Sequence, residues 1–297
     1  MFRFFFFILF CRVLSSGFCM AFTQQKIEVT NEYELIKALG PDRTIILREG
    51  KYDLSLNDSL LRLSQYYSED TVSFHGAVFQ GLINVRFIGI GEVEIITRNY
   101  DEWVLYFKDC NRLYFENMNV GHEVPTDCEG GTACFSNSSD IRMQNVGLHG
   151  SGTTGLVLDR VTNFLVSNSE IYKCTYHLLF VTGSNNVKFI KTTFKESEKL
   201  QMLIFDENGK VSFKKCEFRD NTESKKRIYE RDNVTFIQTK VANSPVSFMK
   251  CRFLNNRYEY FCNDISPIRV VSCDFINNEF GAVEEKKDFI STEEAYF

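Results

Sequence analysis

Several features that would point to a common class of protein are missing from this sequence. The chain has only four histidines among 297 residues, and it contains neither a Cys-x-x-Cys spacing nor a paired-histidine spacing, which disfavours a zinc site or other metal site. Beyond the N-terminal residues no apolar run reaches about 18 residues, so the body offers no segment long enough to cross a bilayer as a helix. The formal net charge of −5 argues against nucleic acid or an anionic membrane as the partner.

What the sequence has instead is a repeated phrase of the form apolar-x-apolar-x-x-small-x-apolar. The phrase occurs eight times, and successive copies begin 22 to 35 residues apart. Repeats of this length are typical of supersecondary units that bury an apolar face only by stacking on their neighbours, so the sequence predicts a solenoid. The copies begin at Val85, Leu113, Ile141, Phe164, Val187, Val211, Val246 and Ile268.

The spacing inside the repeat indicates which solenoid forms. The first and third positions of each copy are apolar, which is the period of a strand, and the sixth and eighth positions resume that period after a bend. A further apolar pair precedes most copies, as Leu179 and Val181 precede Val187. A leucine-rich repeat is the main alternative, but its asparagine-bearing phrase is absent and the repeat has no helical spacing.

We therefore predict an all-β, single-domain parallel β-helix with three strands per coil and about nine coils. In stacked coils equivalent residues lie about 4.8 Å apart, so each inward position becomes a column along the axis. Many of the 29 phenylalanines fall on such columns, and we assign them to the core. Cys216, Cys251 and Cys273 share one inward column, which predicts free thiols that fill space between strands.

Two other cysteines differ from this column. Cys128 and Cys134 bracket the loop 129–133 and could close it with a disulfide, which is a common device in exported proteins.

The two ends of the chain are set apart from the repeats. Residues 1–21 have the basic start, apolar run and small residues that are typical of a secretory signal peptide, so the β-helix would occupy residues 22–280. We predict a secreted or cell-surface protein whose net charge falls from −5 to about −7 when the leader with its two arginines is removed. Residues 281–297 are an acidic tail or a cap.

Two details of these ends remain open. The residues before Cys19 loosely resemble a bacterial lipobox, so a lipid anchor is an alternative to secretion, although bulky Phe18 departs from that pattern. After the leader, residues at about 31–39 are predicted to form a short helix that covers the first coil. Such a cap is expected because the open end of a β-helix would expose strand edges and the core.

Particular phrases of the sequence resemble a known family. The phrase at 43–52, Arg-Thr-Ile-Ile-Leu-Arg-Glu-Gly-Lys-Tyr, is similar to the I-x-L-x-x-G-x-Y opening of the pectin-lyase-like superfamily. Phrases at 121–131, 150–156 and 174–176 resemble those of a bacterial subgroup of secreted right-handed parallel β-helix proteins. The resemblance, which covers residues 27–278, implies a right-handed coil. It implies no single activity, because this fold hosts lyases, hydrolases, esterases, epimerases, tail spikes and adhesins.

Catalytic phrases of the superfamily are incomplete in this chain. Polygalacturonase-like hydrolases carry Asn-Thr-Asp, Asp-Asp, Gly-His-Gly and Arg-Ile-Lys phrases, whereas 221–223 and 121–123 match only in part and in the wrong order. Hydrolysis of this type is therefore not expected. No cofactor is predicted, except that a pectin-type lyase would need calcium held by several carboxylates.

One coil carries a longer loop, which suggests a site. The coil that begins at Leu113 is about five residues longer than a standard coil, and loops that leave a rigid scaffold often bind ligands. Equivalent bends in the next coils add polar residues to the same lateral edge. We predict His122, His149 and Lys173 as catalytic candidates and Glu123, Asp127, Glu129, Tyr172 and Glu196 as binding candidates. The alternative is that these histidines are hydrogen-bonding turn residues.

Two functions are consistent with these features. The first is an exported module that binds a glycan or a surface partner, or serves as a structural element. The second is a carbohydrate-active enzyme, a polysaccharide lyase or an epimerase-type enzyme, that uses His122 or His149 as a base on an acidic polysaccharide. The lack of a complete catalytic phrase favours the first function, and no coiled-coil heptad indicates an oligomeric state.

Overall fold

The described parts of the chain form a parallel β-helix. The computed structural model describes residues 24–69, 76–123, 129–223, 234–241 and 244–280. They make about eight turns, so the predicted all-β solenoid is confirmed with about one turn fewer than expected. The predicted signal peptide at 1–21 and acidic tail at 281–297 lie outside these residues, as does Cys19.

Each coil contributes to three faces of the solenoid. Face 1 carries the strand that begins the repeated phrase, face 2 carries the strand after the bend, and face 3 carries the strand upstream of the phrase. In the early coils one long strand bends from face 1 into face 2: Arg43–Asp53, Ile83–Thr97, Asn111–His122 and Ser139–His149. Face 1 continues with Gln25–Val29, Thr162–Ser167, Asn185–Ile190, Val211–Lys214, Val246–Met249 and Ile268–Val271, and face 2 with Glu170–Tyr172, Thr193–Lys195, Glu217–Arg219, Arg252–Leu254 and Asp274–Ile276.

Face 3 is a separate sheet of mostly parallel strands. The pair upstream of Val246 is Ile237 and Thr239, which is one residue out of step with the other coils and pairs with Leu203 and Phe205 of the preceding coil. The face 3 strands are Tyr67–Glu69, which is antiparallel, then Ala77–Gln80, Leu105–Lys108, Ala133–Ser136, Thr154–Asp159, His177–Thr182, Leu203–Asp206, Thr235–Thr239 and Tyr260–Cys262. A small fourth sheet joins Glu198–Lys199, Thr222–Glu223, Arg257–Tyr258 and Glu279–Phe280.

Aromatic columns fill the core, as the repeat predicts. Parallel pairing places Phe213 opposite Phe189 and Phe248 of the adjacent coils. The ring centroid of Phe213 lies 4.9 Å from that of Phe189 and 4.7 Å from that of Phe248, and the planes of the three stacked rings are nearly parallel. Each ring is fully buried, so the stack removes a large apolar area from water along the whole axis.

Thiol side chains donate hydrogen bonds to backbone carbonyl groups at the bends. Cys216 and Cys251 are free thiols that donate to the carbonyl oxygens of Phe189 and Phe213, at 3.4 Å and 3.5 Å, so the prediction of buried packing thiols is confirmed for these two. Cys273 is also a free thiol of this column, but it is half-buried. The proposed partner of Cys134, Cys128, lies outside the described residues, and that disulfide stays a prediction.

An asparagine column runs along the bend that follows face 2. Asn256 donates from Nδ2 to the Phe218 carbonyl at 2.9 Å and to Asn278 Oδ1 at 2.8 Å, and it accepts from Asn221 Nδ2 at 2.9 Å. Because Asn221 and Asn256 are fully buried, each of these bonds replaces one that water can no longer supply.

A short helix covers the first coil. It spans Glu32–Lys37, and Asn31 caps it by accepting a hydrogen bond from the Glu34 amide at 3.0 Å. Leu35 and Ile36 are buried, whereas Tyr33 is exposed, because so short a helix buries only one side of one turn. A second helix, Asp58–Leu61, was not predicted.

Truncation of one stacked ring tests the column. We expect Phe213→Ala to destabilise the protein by about 3–5 kcal/mol, because it removes a ring that contacts both neighbouring coils. Unfolding in guanidinium, followed by circular dichroism, measures this loss. The matched control is Ser212→Ala on the outward side of the same strand, for which we expect a change within about 0.5 kcal/mol. Equal effects of the two substitutions would contradict the burial of the column.

Candidate functional site

The candidate residues lie on face 2, where buried residues alternate with residues that point outwards. Leu148 and Ile171 are buried and pair with each other, so their neighbours His149 and Tyr172 stand side by side on the outer surface. Gly121 precedes and Lys195 follows this pair in the same column. The pairing of coils therefore determines which of the predicted side chains can touch.

His149 and Tyr172 form a stacked pair of rings. Their centroids are 5.3 Å apart with an angle of 29° between the ring planes. Lys195 Nζ lies 4.9 Å from the centroid of the Tyr172 ring and 2.7 Å from a carboxylate oxygen of Glu170. Only glycine fits at position 121, because a Cβ there would lie 2.3 Å from the His149 imidazole. The rings are thus packed against groups of the protein itself.

The His149 imidazole is held in its neutral form. Burial lowers its pKa below the ordinary value, Glu94 opposes this shift, and Lys173 adds to it. Because the ordinary pKa of histidine is about 6.5, the lowered value leaves the ring uncharged at neutral pH. A neutral imidazole can accept a proton.

Lys173 and Glu196 lie at the ends of successive face 2 strands. Both have left-handed backbone conformations, with φ of 54° and 58°, and their charged groups are 4.0 Å apart. Both side chains are exposed, so this ion pair contributes little to stability. The structure thus brings His149, Tyr172, Lys173 and Glu196 together on one edge; their roles stay predictions.

His122 belongs to a different contact. Its Nε2 donates to the carbonyl oxygen of Glu102 at 2.8 Å, and within the described residues its buried Nδ1 has no hydrogen-bond partner. Burial lowers the pKa of His122, and the bond to Glu102 opposes that shift. The Glu102 carboxylate in turn accepts from the Leu56 amide, Thr97 Oγ1 and Asn99 Nδ2. His122 therefore ties the segment around Glu102 to face 2.

Glu123 lies in a separate group of exposed charges. Its carboxylate forms ion pairs with Lys51 and with Arg98, and the distance from Arg98 Nη2 to Glu123 Oε2 is 3.0 Å. The hydrogen bonds from these two cations lower the pKa of Glu123. Arg98 also contacts Asp53 at 2.7 Å, and Lys51 lies 3.5 Å from Glu94. These charges neutralise one another across the first three coils.

Sequence reasoning missed Lys51, Asp53 and Arg98. The first coils contain register shifts, one between Ile88 and Glu94, that break the spacing of the repeat. An alignment of the phrase at 43–52 with residues 85–95 places Lys51 beside Glu94 only when it includes the one-residue shift between Arg48 and Gly50.

The remaining candidates do not join either group. Glu129 is exposed, and its backbone amide donates to the Tyr100 carbonyl at 2.6 Å. Asp127 lies outside the described residues.

Across 24–69, 76–123, 129–223, 234–241 and 244–280, no group of three or more His, Cys, Asp or Glu side chains could hold a metal ion. Neither described helix is long and apolar enough to cross a membrane.

The fold and the family model define the class of this protein. It is a right-handed parallel β-helix. Residues 131–289, more than half of the chain, match the family model described as "Right handed beta helix region". The chain belongs to this family. A sequence comparison with curated proteins gave no match.

Solved structures share the fold at low identity. ORF18 of Geobacillus virus E2 is 15% identical with a TM-score of 0.54, and the match covers 80% of this chain and 45% of that one. This chain thus spans less than half of the viral protein. An alginate lyase from Paenibacillus sp. str. FPU-7 is 12% identical with a TM-score of 0.51, covering 87% and 99%. Pectate lyase Pel9A is 11% identical with a TM-score of 0.45, covering 91% and 82%. At these identities the similarity shows the fold alone.

The pH dependence of stability tests the neutral state of His149. Because its folded-state pKa is lowered, its contribution to stability is present above the unfolded-state value of about 6.5 and is lost as the pH falls towards the folded-state pKa. We expect the melting temperature to fall between about pH 7.5 and pH 5, and to fall less in His149→Phe, which keeps a ring beside Tyr172 but cannot be protonated. Identical pH dependence in both proteins would contradict this account.

Proposed function

We propose that the protein is an exported β-helix module that binds a glycan without cleaving it. The observation that supports this most directly is that the cations and rings on this edge of face 2 are already paired with other groups of the protein. Lys195 is bound to Glu170, Lys173 lies beside Glu196, and the His149 and Tyr172 rings stack. A proton-transfer enzyme needs a base with access to substrate and a cation that is available to the substrate carboxylate.

Two further points support this proposal. The chain has the β-helix fold, which presents long rows of outward side chains on a rigid scaffold and so suits an extended ligand. An alginate lyase is among the proteins of this fold, which means that the fold can accommodate a polysaccharide. Export rests on the leader-like residues 1–21.

A second candidate function is a polysaccharide lyase or epimerase-type enzyme. The neutral His149 imidazole favours it, because this ring can accept a proton and Lys173 lies near it. In that case His149 would take the proton beside a uronate carboxylate, and Lys173 would leave Glu196 to bind the carboxylate. Calcium would be expected only for this alternative.

Binding and cleavage are distinguished by two measurements on the same protein. We expect no rise in ultraviolet absorbance from unsaturated products when the protein is incubated with alginate or polygalacturonate, with and without calcium. We expect at least one polysaccharide in a panel of neutral and acidic glycans to retard the protein in affinity electrophoresis.

The control is His149→Ala, which removes the candidate base. If wild-type protein produces a rise in absorbance that His149→Ala abolishes, the enzymatic alternative replaces our proposal. A protein that no glycan of the panel retards, and that forms no unsaturated product, would contradict both functions.

A further inference from the structure

Face 1 carries a row of cations that the sequence reasoning did not identify. Its inward residues, such as Val187 and Phe189, are buried, so the residues between and beside them point outwards. Parallel pairing aligns one outward column over eight successive coils. From the N-terminal end it contains Arg86, Tyr114, Arg142, Leu165, Lys188, Ser212, Ser247 and Arg269.

Arg86, Arg142 and Lys188 of this row differ from the cations of face 2 in their surroundings. Over the part of the chain that the structure describes, none of Arg86, Arg142, Lys188, Lys210 and Lys214 has a carboxylate within 4.0 Å. On face 2, by contrast, Lys195 and Arg252 are bound to Glu170 and Glu217 of adjacent coils. Face 1 therefore carries cations that are not neutralised within the described residues, although the net charge of the chain is −5.

The later coils of face 1 form a groove. Its floor contains the small side chains of Ser212 and Ser247, which lie on adjacent strands. Lys188 and Arg269 stand at the two ends of this floor, and the groove has a volume of about 620 Å³. Its sides are formed by Lys210, Pro245 and Pro267 at one bend and by Ile190, Lys214, Met249 and Val271 towards the other.

A second depression lies over the early coils, in line with the groove. It has a volume of about 370 Å³ and is lined by Arg86, Tyr114, Arg142, Gln144 and Leu165 among others. The Arg86 guanidinium lies 4.7 Å from the centroid of the Tyr114 ring, and the Tyr114 hydroxyl donates to Gln144 Oε1 at 3.3 Å. From Arg86 to Arg269 the column crosses seven strand spacings, or about 34 Å.

We propose that this cationic groove binds a linear anionic polysaccharide, one that carries carboxylate or sulfate groups along its length. Arg86, Arg142 and Lys188 are each separated by one uncharged residue, so positive charge recurs at about 9.6 Å along the axis. Arginine and lysine bind carboxylates and sulfates through charge-assisted hydrogen bonds. This inference rests on the proposed glycan-binding function and assigns it a surface and a ligand chemistry.

The shape and lining of the groove favour a polysaccharide over other polyanions. Exposed Met249 and partly exposed Ile190 lie among the lysines, and they offer apolar contacts to the C–H groups of a sugar ring. A single-stranded nucleic acid would use aromatic platforms for its bases, and the face 1 column has only Tyr114, with Arg86 over its ring. A planar anionic membrane does not fill a narrow groove.

The test reverses charge in the groove and, separately, on face 2 and the small fourth sheet that follows it. Lys188→Glu/Lys214→Glu is compared with Arg252→Glu/Arg257→Glu, which changes the net charge by the same amount at exposed, ion-paired positions. Affinity for alginate, polygalacturonate and dextran sulfate is measured by titration calorimetry, with neutral dextran and oligo-dT as further probes. Circular dichroism and the melting temperature establish that both variants are folded.

We expect the groove variant to bind the acidic polysaccharides at least about tenfold more weakly, and the face 2 variant to bind like the wild type. The wild-type affinity should fall as salt rises, because screening weakens the attraction between separated charges. Equal binding by both variants would overturn the inference while leaving a glycan-binding function intact. Failure of the wild type to bind any glycan would overturn the proposed function itself. Tighter binding of oligo-dT than of every polysaccharide would replace the ligand that we infer.

Discussion

Parallel pairing between successive coils is the constraint on which the rest of the molecule depends. It holds equivalent residues about one strand spacing apart, so a side chain contacts its counterparts in the coils before and after it. Inside, this produces the stack of Phe189, Phe213 and Phe248 and the chain of bonds from Asn221 to Asn278. A shift of one residue in any coil would turn these side chains towards water and break several contacts at once.

The same constraint gives opposite electrostatic results on two faces. On face 2 the columns place Lys195 beside Glu170 and Arg252 beside Glu217, so charges are matched within the protein. On face 1 Lys188 is followed in its column by Ser212, and no acidic column runs beside it in the later coils. The cations of face 1 are thus left to solvent or to a ligand, whereas Lys195 and Arg252 of face 2 are paired within the protein.

Much of the fold could be predicted because the apolar spacing of each repeated phrase indicates both its strands and the bend between them. The closeness of His149, Tyr172, Lys173 and Glu196 could be predicted too, because the register of the phrases places them on adjacent coils. The contact of His122 with Glu102 could not be predicted, since Glu102 lies in a connecting segment that has no counterpart in other coils. The face 1 groove was missed for another reason. Its cations are spread over about 180 residues of sequence and form a row only when the coils are aligned. They also lie on a different face from the long loop that follows His122, which the sequence marks as the candidate site.

The buried thiols bear on how such a chain can be assembled. Cys110, Cys216 and Cys251 lie inside the solenoid and donate to backbone carbonyl oxygens. Burial raises the pKa of Cys110 to about 11, so that this sulfur remains protonated and a poor target for oxidants. These coils are closed by main-chain pairing and side-chain packing. In an oxidising compartment these thiols would be protected from mispairing only after the coils have closed around them.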